Sequence, residues 1–212
     1  MLIPLFPLPS VFFPGEQVAL HIFEERYKQL ILDIKETTGT FGVPVYIEGS
    51  IVYGTELRLD KIIKTYDTGE MDIICIAVRS FKIISFYKTM GNKLYAGGEV
   101  YFLNYMDDSV ASLRENVLRL ILELYKLMGV SIVNLTKDNF DIYLLIHKIG
   151  LSLAQEYKLL QMTYESERLL FIKEHLINTI QVLEQVNQSK EMIGMNGHFK
   201  NFDPIDFKDF KL

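Results

Sequence analysis

Pro4-Leu-Phe-Pro-Leu-Pro9, followed by Val11-Phe-Phe-Pro-Gly-Glu16, Leu20-His-Ile-Phe-Glu24 and Arg26-Tyr27, is the stretch that decides how the rest of the chain is read. Proline cannot donate to a strand ladder, so the opening prolines are expected to hold an extended edge segment that does not pair on both sides. Pro14-Gly15 reads as a tight turn, with proline fixing φ and glycine free to take a positive one. His21-Ile-Phe23 then returns as a strand, and a helix is expected from about Glu24 to Glu36. Tyr27, Leu30, Ile31 and Ile34 recur at i, i+3, i+4 and i+7 and form one apolar stripe. Gly39 follows the end of this helix, which is expected to cap a barrel.

Working outward, short β-branched or aromatic runs continue to about Tyr105: Phe41 to Ile47, Met71 to Val78, Phe81 to Tyr87 and Gly98 to Leu103. Glycine, Asp and Asn punctuate them at Gly49, Gly54, Asp67 to Gly69 and Gly91-Asn92, the spacing of a small twisted barrel or curled sheet. After Asp107-Asp108-Ser109 the period becomes 3.6. Leu113, Val117, Leu120, Ile121, Leu124 and Met128 form one helical stripe ended by Gly129. Thr136 or Asp138 is expected to cap a second helix carrying Phe140, Leu144, His147 and Leu151. A third, shorter helix is expected over Leu153 to Met162. A fourth begins near Ser166 and carries Leu169, Ile172, Leu176, Ile180 and Leu183. The expected class is α+β: a β-barrel subdomain over 1–105 with one capping helix, and an α-helical bundle over 106–193 packed against it. An aromatic tail over 194–212 follows, in which Phe199, Phe202, Phe207 and Phe210 mark either a frayed end or a docking segment.

The 212 residues are 49% hydrophobic and 23% charged, ample for a packed core and unlike a disordered chain. A net charge of −5 with no basic run argues against a surface built to neutralise phosphates. Cys75 is the only cysteine, so neither an internal disulfide nor a thiolate metal cage is available. Its apolar neighbours make it a buried hydrophobe rather than a reactive thiol. The apolar N-terminus lacks a basic region and is broken by prolines, so it does not read as a signal peptide. With no 18 consecutive apolar residues, no spanning helix is expected and the chain reads as cytoplasmic.

Motifs for chemistry do not appear. There is no phosphate-cradling glycine loop, no Gly-x-Gly-x-x-Gly, and no Gly-x-Ser-x-Gly elbow. His21, His147, His175 and His198 show no metal spacing, and His147 is expected as a core histidine on its helix. Neither Glu24-Glu25 nor Asp107-Asp108 forms a facing acid–base pair. No catalytic residue, metal site or cofactor is assigned.

The order of the opening block closely resembles the N-terminal substrate-binding domain of Lon proteases. That family's pattern is a Leu-Pro-Leu-Phe-Pro-Leu opening, a Phe-Pro-Gly turn, a Leu-His-Ile-Phe-Glu strand and an Arg-Tyr helix. Gly54-Thr55, Asp67-Thr-Gly69, Arg79-Ser-Phe81, Glu99 to Leu103, Leu153 to Leu160 and Glu167-Arg-Leu-Leu170 are similar to later family features over roughly residues 1–190. Here Ser80 splits the usual adjacent Arg-Phe, and no glycine precedes Arg79. The resemblance implies a small barrel related to PUA domains followed by a helical bundle, without the ATPase and Ser-Lys protease domains of full Lon enzymes. It implies a non-catalytic polypeptide-binding or adaptor module that recognises protein segments such as misfolded clients. Phe12, Phe13, Phe41, Tyr46 and Tyr53 are the candidate contacts, each equally a candidate for the core. Self-association through the tail is a further expectation. The competing reading is small-molecule or RNA binding by the PUA-like barrel, with the acidic balance weighing against RNA.

Overall fold

In the computed structural model, residues 1–37, 39–130 and 142–198 are described, with Leu144 and residues 194–198 described through the backbone alone. Six strands form one sheet in the order β2-β5-β4-β3-β1-β6: β1 (Leu2–Leu5), β2 (Gln17–Ile22), β3 (Thr40–Pro44), β4 (Tyr53–Thr65), β5 (Met71–Tyr87) and β6 (Ala96–Phe102). An added β5–β6 pairing closes five of these strands into a barrel, with β2 fastened along β5. Closure removes sheet edges that would otherwise pair with another chain.

The proline-rich β1 is not an edge strand. It pairs antiparallel with β6 along its whole length and parallel with β3 at Leu5↔Gly42. The donors to the β3 side are Phe6 N–H to the Gly42 carbonyl at 2.8 Å and Leu8 N–H to the Pro44 carbonyl at 3.1 Å. Both residues lie between prolines, so the missing donors of Pro4 and Pro7 are never needed. The Pro14-Gly15 turn is present: Gly15 has φ 89° and Glu16 N–H closes onto the Phe13 carbonyl.

Two strands depart from the periodic reading. Met71 to Tyr87 is one 17-residue strand rather than two, because Arg79 and Ser80 continue the ladder across a bulge at Glu56/Leu57 of β4. β4, 13 residues long, lies where no strand was expected, since Glu56, Arg58, Asp60, Lys61 and Lys64 mask its pattern. Glu56 is buried with its carboxylate 2.7 Å from Arg79 Nε, and the Arg79 guanidinium lies 3.5 Å from the Phe102 ring centroid. At Pro44↔Gly54 the strands approach so closely that a Cβ on Gly54 would collide with Pro44 Cα and the Val43 carbonyl.

Helix α1 (Glu25–Lys35) buries Tyr27, Leu30, Ile31 and Ile34 against Phe6, Phe41, Leu57, Ile73 and Cys75, capping the barrel as expected. Each fully buried aliphatic side chain contributes about 1.5–3 kcal/mol. Burial pushes the Cys75 thiol up to about 12, which leaves it protonated and inert.

The helical part comprises α2 (Ala111–Leu127), two 3₁₀ turns at Ile142–Leu144 and Ile146–Lys148, α3 (Leu153–Gln161) and the 34-residue α4 (Glu165–His198). The α-helix expected to carry Leu144, His147 and Leu151 is replaced in its described portion by these turns; Thr136, Asp138 and Phe140 lie outside the described residues. α3 opens with a capping box in which Ser152 and Gln155 satisfy each other's backbone donors. α2 and α4 run side by side in the same direction: Ser166 bonds Asp108 at one end and Asn187 bonds the Leu127 carbonyl at the other. α4 continues through Gly194 to His198, whereas Phe199, Phe202, Phe207 and Phe210 lie outside the described residues.

Candidate functional site

A groove of about 670 Å³ opens at one end of the barrel. Four separated stretches build it: Pro7 and Pro9 after β1, Arg26 and Tyr27 at the start of α1, Tyr46 to Ile51 between β3 and β4, and Phe86, Lys88 and Ala96 around the β5–β6 turn. Tyr46 N–H bonds the Leu8 carbonyl at 2.8 Å, which pins its backbone and leaves the side chain 54% exposed. Ile47 and Ser50 exchange backbone hydrogen bonds around Glu48 (φ 49°) and Gly49 (φ 74°), a two-residue hairpin turn with both central residues left-handed. Glu48 is the only described non-glycine residue with positive φ, a conformation that costs on the order of 1 kcal/mol and shapes the groove rim.

Phe86 stays in the outward phase of β5 shared with Lys82 and Ile84 and is 43% exposed. The Tyr27 ring stacks on Phe6 at 3.7 Å, and its hydroxyl is raised above the ordinary tyrosine range by burial. The Arg26 guanidinium lies 4.5 Å from the Tyr27 centroid and pairs with Glu24 at 2.8 Å. The walls are thus aromatic and aliphatic, and the charged lining groups are both cations.

A second cleft of about 420 Å³ lies where barrel meets bundle, lined by Pro9, Phe12, Glu16, His147, Leu153 and Glu156 among others. His147 is not a core histidine. Its Nδ1 is 2.7 Å from Glu156 Oε1 on α3, and its Nε2 is 3.3 Å from both Glu16 oxygens, across 131 residues of sequence. These carboxylates, Glu16 foremost, raise its pKa to about 9 against the opposing effect of burial. Among the described residues no group of three His, Cys, Asp or Glu side chains is placed to hold a metal ion.

The five sequence candidates do not share one surface. Phe13 and Phe41 are fully buried: Phe13 lies in the bundle core 5.5 Å from the Tyr143 ring, and Phe41 lies inside the barrel. Tyr46 lines the groove and Phe12 lines the second cleft. Tyr53 is half-buried at the joint, its N–H donating to Tyr157 Oη at 3.2 Å with the rings edge-to-face. Phe86, Ile51 and Lys88 are not among the residues the sequence singles out, and Arg26 enters there only through the Arg-Tyr motif, not as a candidate contact. Phe86 alternates outward like Lys82 and Ile84, and only barrel closure brings that face to the same groove as Tyr46 and the start of α1.

A closed five-strand barrel of the PUA-like type, capped by a helix and joined to a helical part, is the architecture these contacts define. The chain belongs to the ATP-dependent protease La (LON) substrate-binding domain family, whose match covers residues 2–187. It is similar in structure to a Lon N-terminal domain protein from Xanthomonas campestris, with 26% identity and a TM-score of 0.59 over 80% of this chain and 95% of that one. The N-terminal domain of the Mycobacterium avium complex Lon protease shares the fold, with 14% identity and a TM-score of 0.61 over 83% and 98% of the two chains. No curated protein sequence matches. Among the described residues, no helix is long and apolar enough to cross a membrane.

Proposed function

We propose that this protein is a non-catalytic polypeptide-binding module that holds extended apolar segments of other proteins in the barrel-end groove and presents them as an adaptor. The observation that carries this reading is that two half-exposed aromatic side chains, Tyr46 and Phe86, from separate stretches of the chain line one groove of roughly 670 Å³ in a substrate-binding-domain fold. Apolar walls with a few convergent polar groups are what a bound segment requires. The polar groups of the lining are two tyrosine hydroxyls, one guanidinium and one ammonium; no nucleophile–base pair stands among them. Pro9 lines both the groove and the second cleft, so a longer segment leaving Tyr46 passes over Phe12. Tyr53 supports this path from the joint, and Phe13 and Phe41 support it from the core.

Fluorescence anisotropy with a labelled, permanently unfolded polypeptide tests the reading. Micromolar binding is expected, and Tyr46→Ser and Phe86→Ser each weaken it about tenfold, the cost of losing one aromatic anchor, with unchanged thermal stability. No binding by the unsubstituted protein, or variants that bind as tightly as the unsubstituted protein, refutes it.

A further inference from the structure

The groove carries the charge sign opposite to that of the protein around it. The chain has a net charge of −5, yet the charged residues of the groove lining are Arg26 and Lys88, with no carboxylate among the lining residues. Arg26 is held in place by Glu24 at 2.8 Å, which neutralises part of its charge. Lys88 is exposed where β5 ends, and no ion pair to it is found among the described residues. The other nearby carboxylate in sequence is Glu48, exposed in the rim turn beside Gly49 rather than in the lining. Apolar walls keep water from fully screening these two cations and focus their field into the groove.

Resting on the peptide-binding reading, we propose that the groove selects by charge: it takes aromatic or branched apolar segments that carry Asp or Glu, and disfavours the same segments carrying Lys or Arg. The apolar walls supply affinity for any such segment, and the two cations supply the discrimination. The occupant is therefore an acidic, phenylalanine-containing extended segment. Phe202-Asp-Pro-Ile-Asp-Phe207 of this chain has that composition and serves as the probe sequence.

The test uses the full chain carrying Phe202→Ser and Phe207→Ser, so that its own copy does not compete. Labelled Phe-Asp-Pro-Ile-Asp-Phe is titrated against its Asn and Lys counterparts by anisotropy. At low ionic strength the Asp peptide is expected to bind about tenfold tighter than the Asn peptide and the Lys peptide weaker than both, as two partly exposed ion pairs would produce. The Asp-over-Asn ratio shrinks toward one as salt rises. Lys88→Gln and Arg26→Gln each reduce that ratio about threefold, and thermal midpoints equal to that of the parent chain show that the variants are folded. Equal binding of the three peptides to an otherwise binding-competent protein overturns the charge selection and leaves the peptide groove standing. No binding of any peptide, together with no binding of unfolded polypeptide, overturns both.

Discussion

Replacing His147 with Gln tests the joint between barrel and bundle through its pH dependence. His147 Nδ1 is 2.7 Å from Glu156, Nε2 is 3.3 Å from Glu16, and the side chain is 33% exposed. Its pKa rises from the ordinary 6.5 to about 9, with Glu16 the leading cause, so the folded protein prefers the imidazolium. A group whose folded pKa is raised contributes its full stability below the unfolded value. That contribution is lost as pH climbs through the folded one, here between 6.5 and about 9. At about 1.36 kcal/mol per pH unit the span has a ceiling of about 3.4 kcal/mol, and one-third exposure reduces it to about 1–2 kcal/mol through solvent screening. Urea unfolding of both proteins is followed from about pH 6 to about pH 10. The difference between native protein and His147→Gln is expected to be about 1–2 kcal/mol at the acid end and to fall toward zero at the alkaline end. Glu16→Gln and Glu156→Gln each lower the native protein's stability near pH 6 but have smaller effects in the His147→Gln background, the signature of a shared interaction. A native-minus-variant difference that stays constant across this range refutes the ion-pair assignment.

Two further outcomes follow from packing. Gly54→Ala drives a methyl into Pro44 and the Val43 carbonyl and is expected to cost about 2–3 kcal/mol, read as a fall in the thermal midpoint of roughly 5–10 °C. Arg168, only 2% exposed, pairs with Glu165 at 3.1 Å, donates to the Met162 carbonyl at 2.8 Å and lies 4.7 Å from the Tyr105 centroid. Arg168→Met removes these while keeping volume and is expected to cost about 2–3 kcal/mol in urea unfolding, since the Met162 carbonyl loses its donor and Glu165 keeps only Arg114, at 3.1 Å.

Local rules carry far in this chain, and they stop where residues distant in sequence meet. The Tyr27, Leu30, Ile31, Ile34 stripe is legible because a helix writes its buried face at fixed spacing, and all four are buried. β4 is illegible by the same logic: Glu56 interrupts the alternation, and only Arg79 on the neighbouring strand explains how a carboxylate is tolerated there. His147 reads as a core position on a helix because its neighbours are apolar. Its carboxylate partners come from the Pro14-Gly15 turn and from α3, and nothing in the local sequence announces either. Candidate contacts divide in the same way. Aromatic content identifies Phe12, Phe13, Phe41, Tyr46 and Tyr53 alike, but strand register turns Phe41 into the barrel, packing against the helices buries Phe13, and Tyr46 is left facing the groove.

The joint and the groove are mechanically one feature. Pro7 and Pro9 form a groove wall, and the residues that follow, Val11 and Phe13, are buried in the bundle core with Val117, Ile121 and Leu176. Between them the Phe12 carbonyl accepts from the Thr55 hydroxyl at 2.6 Å, tying the same segment to β4. On the far side, Tyr105 Oη accepts from the Ser80 hydroxyl at 2.6 Å and donates to the Leu160 carbonyl at 3.2 Å, fastening α3 to β5. The helical part therefore anchors a wall of the groove from behind, although none of its described residues lines the groove. On the proposed peptide-binding reading, a wall held from both sides loses little conformational entropy when a segment docks, which keeps aromatic contact at Tyr46 and Phe86 as affinity rather than consuming it in ordering the protein.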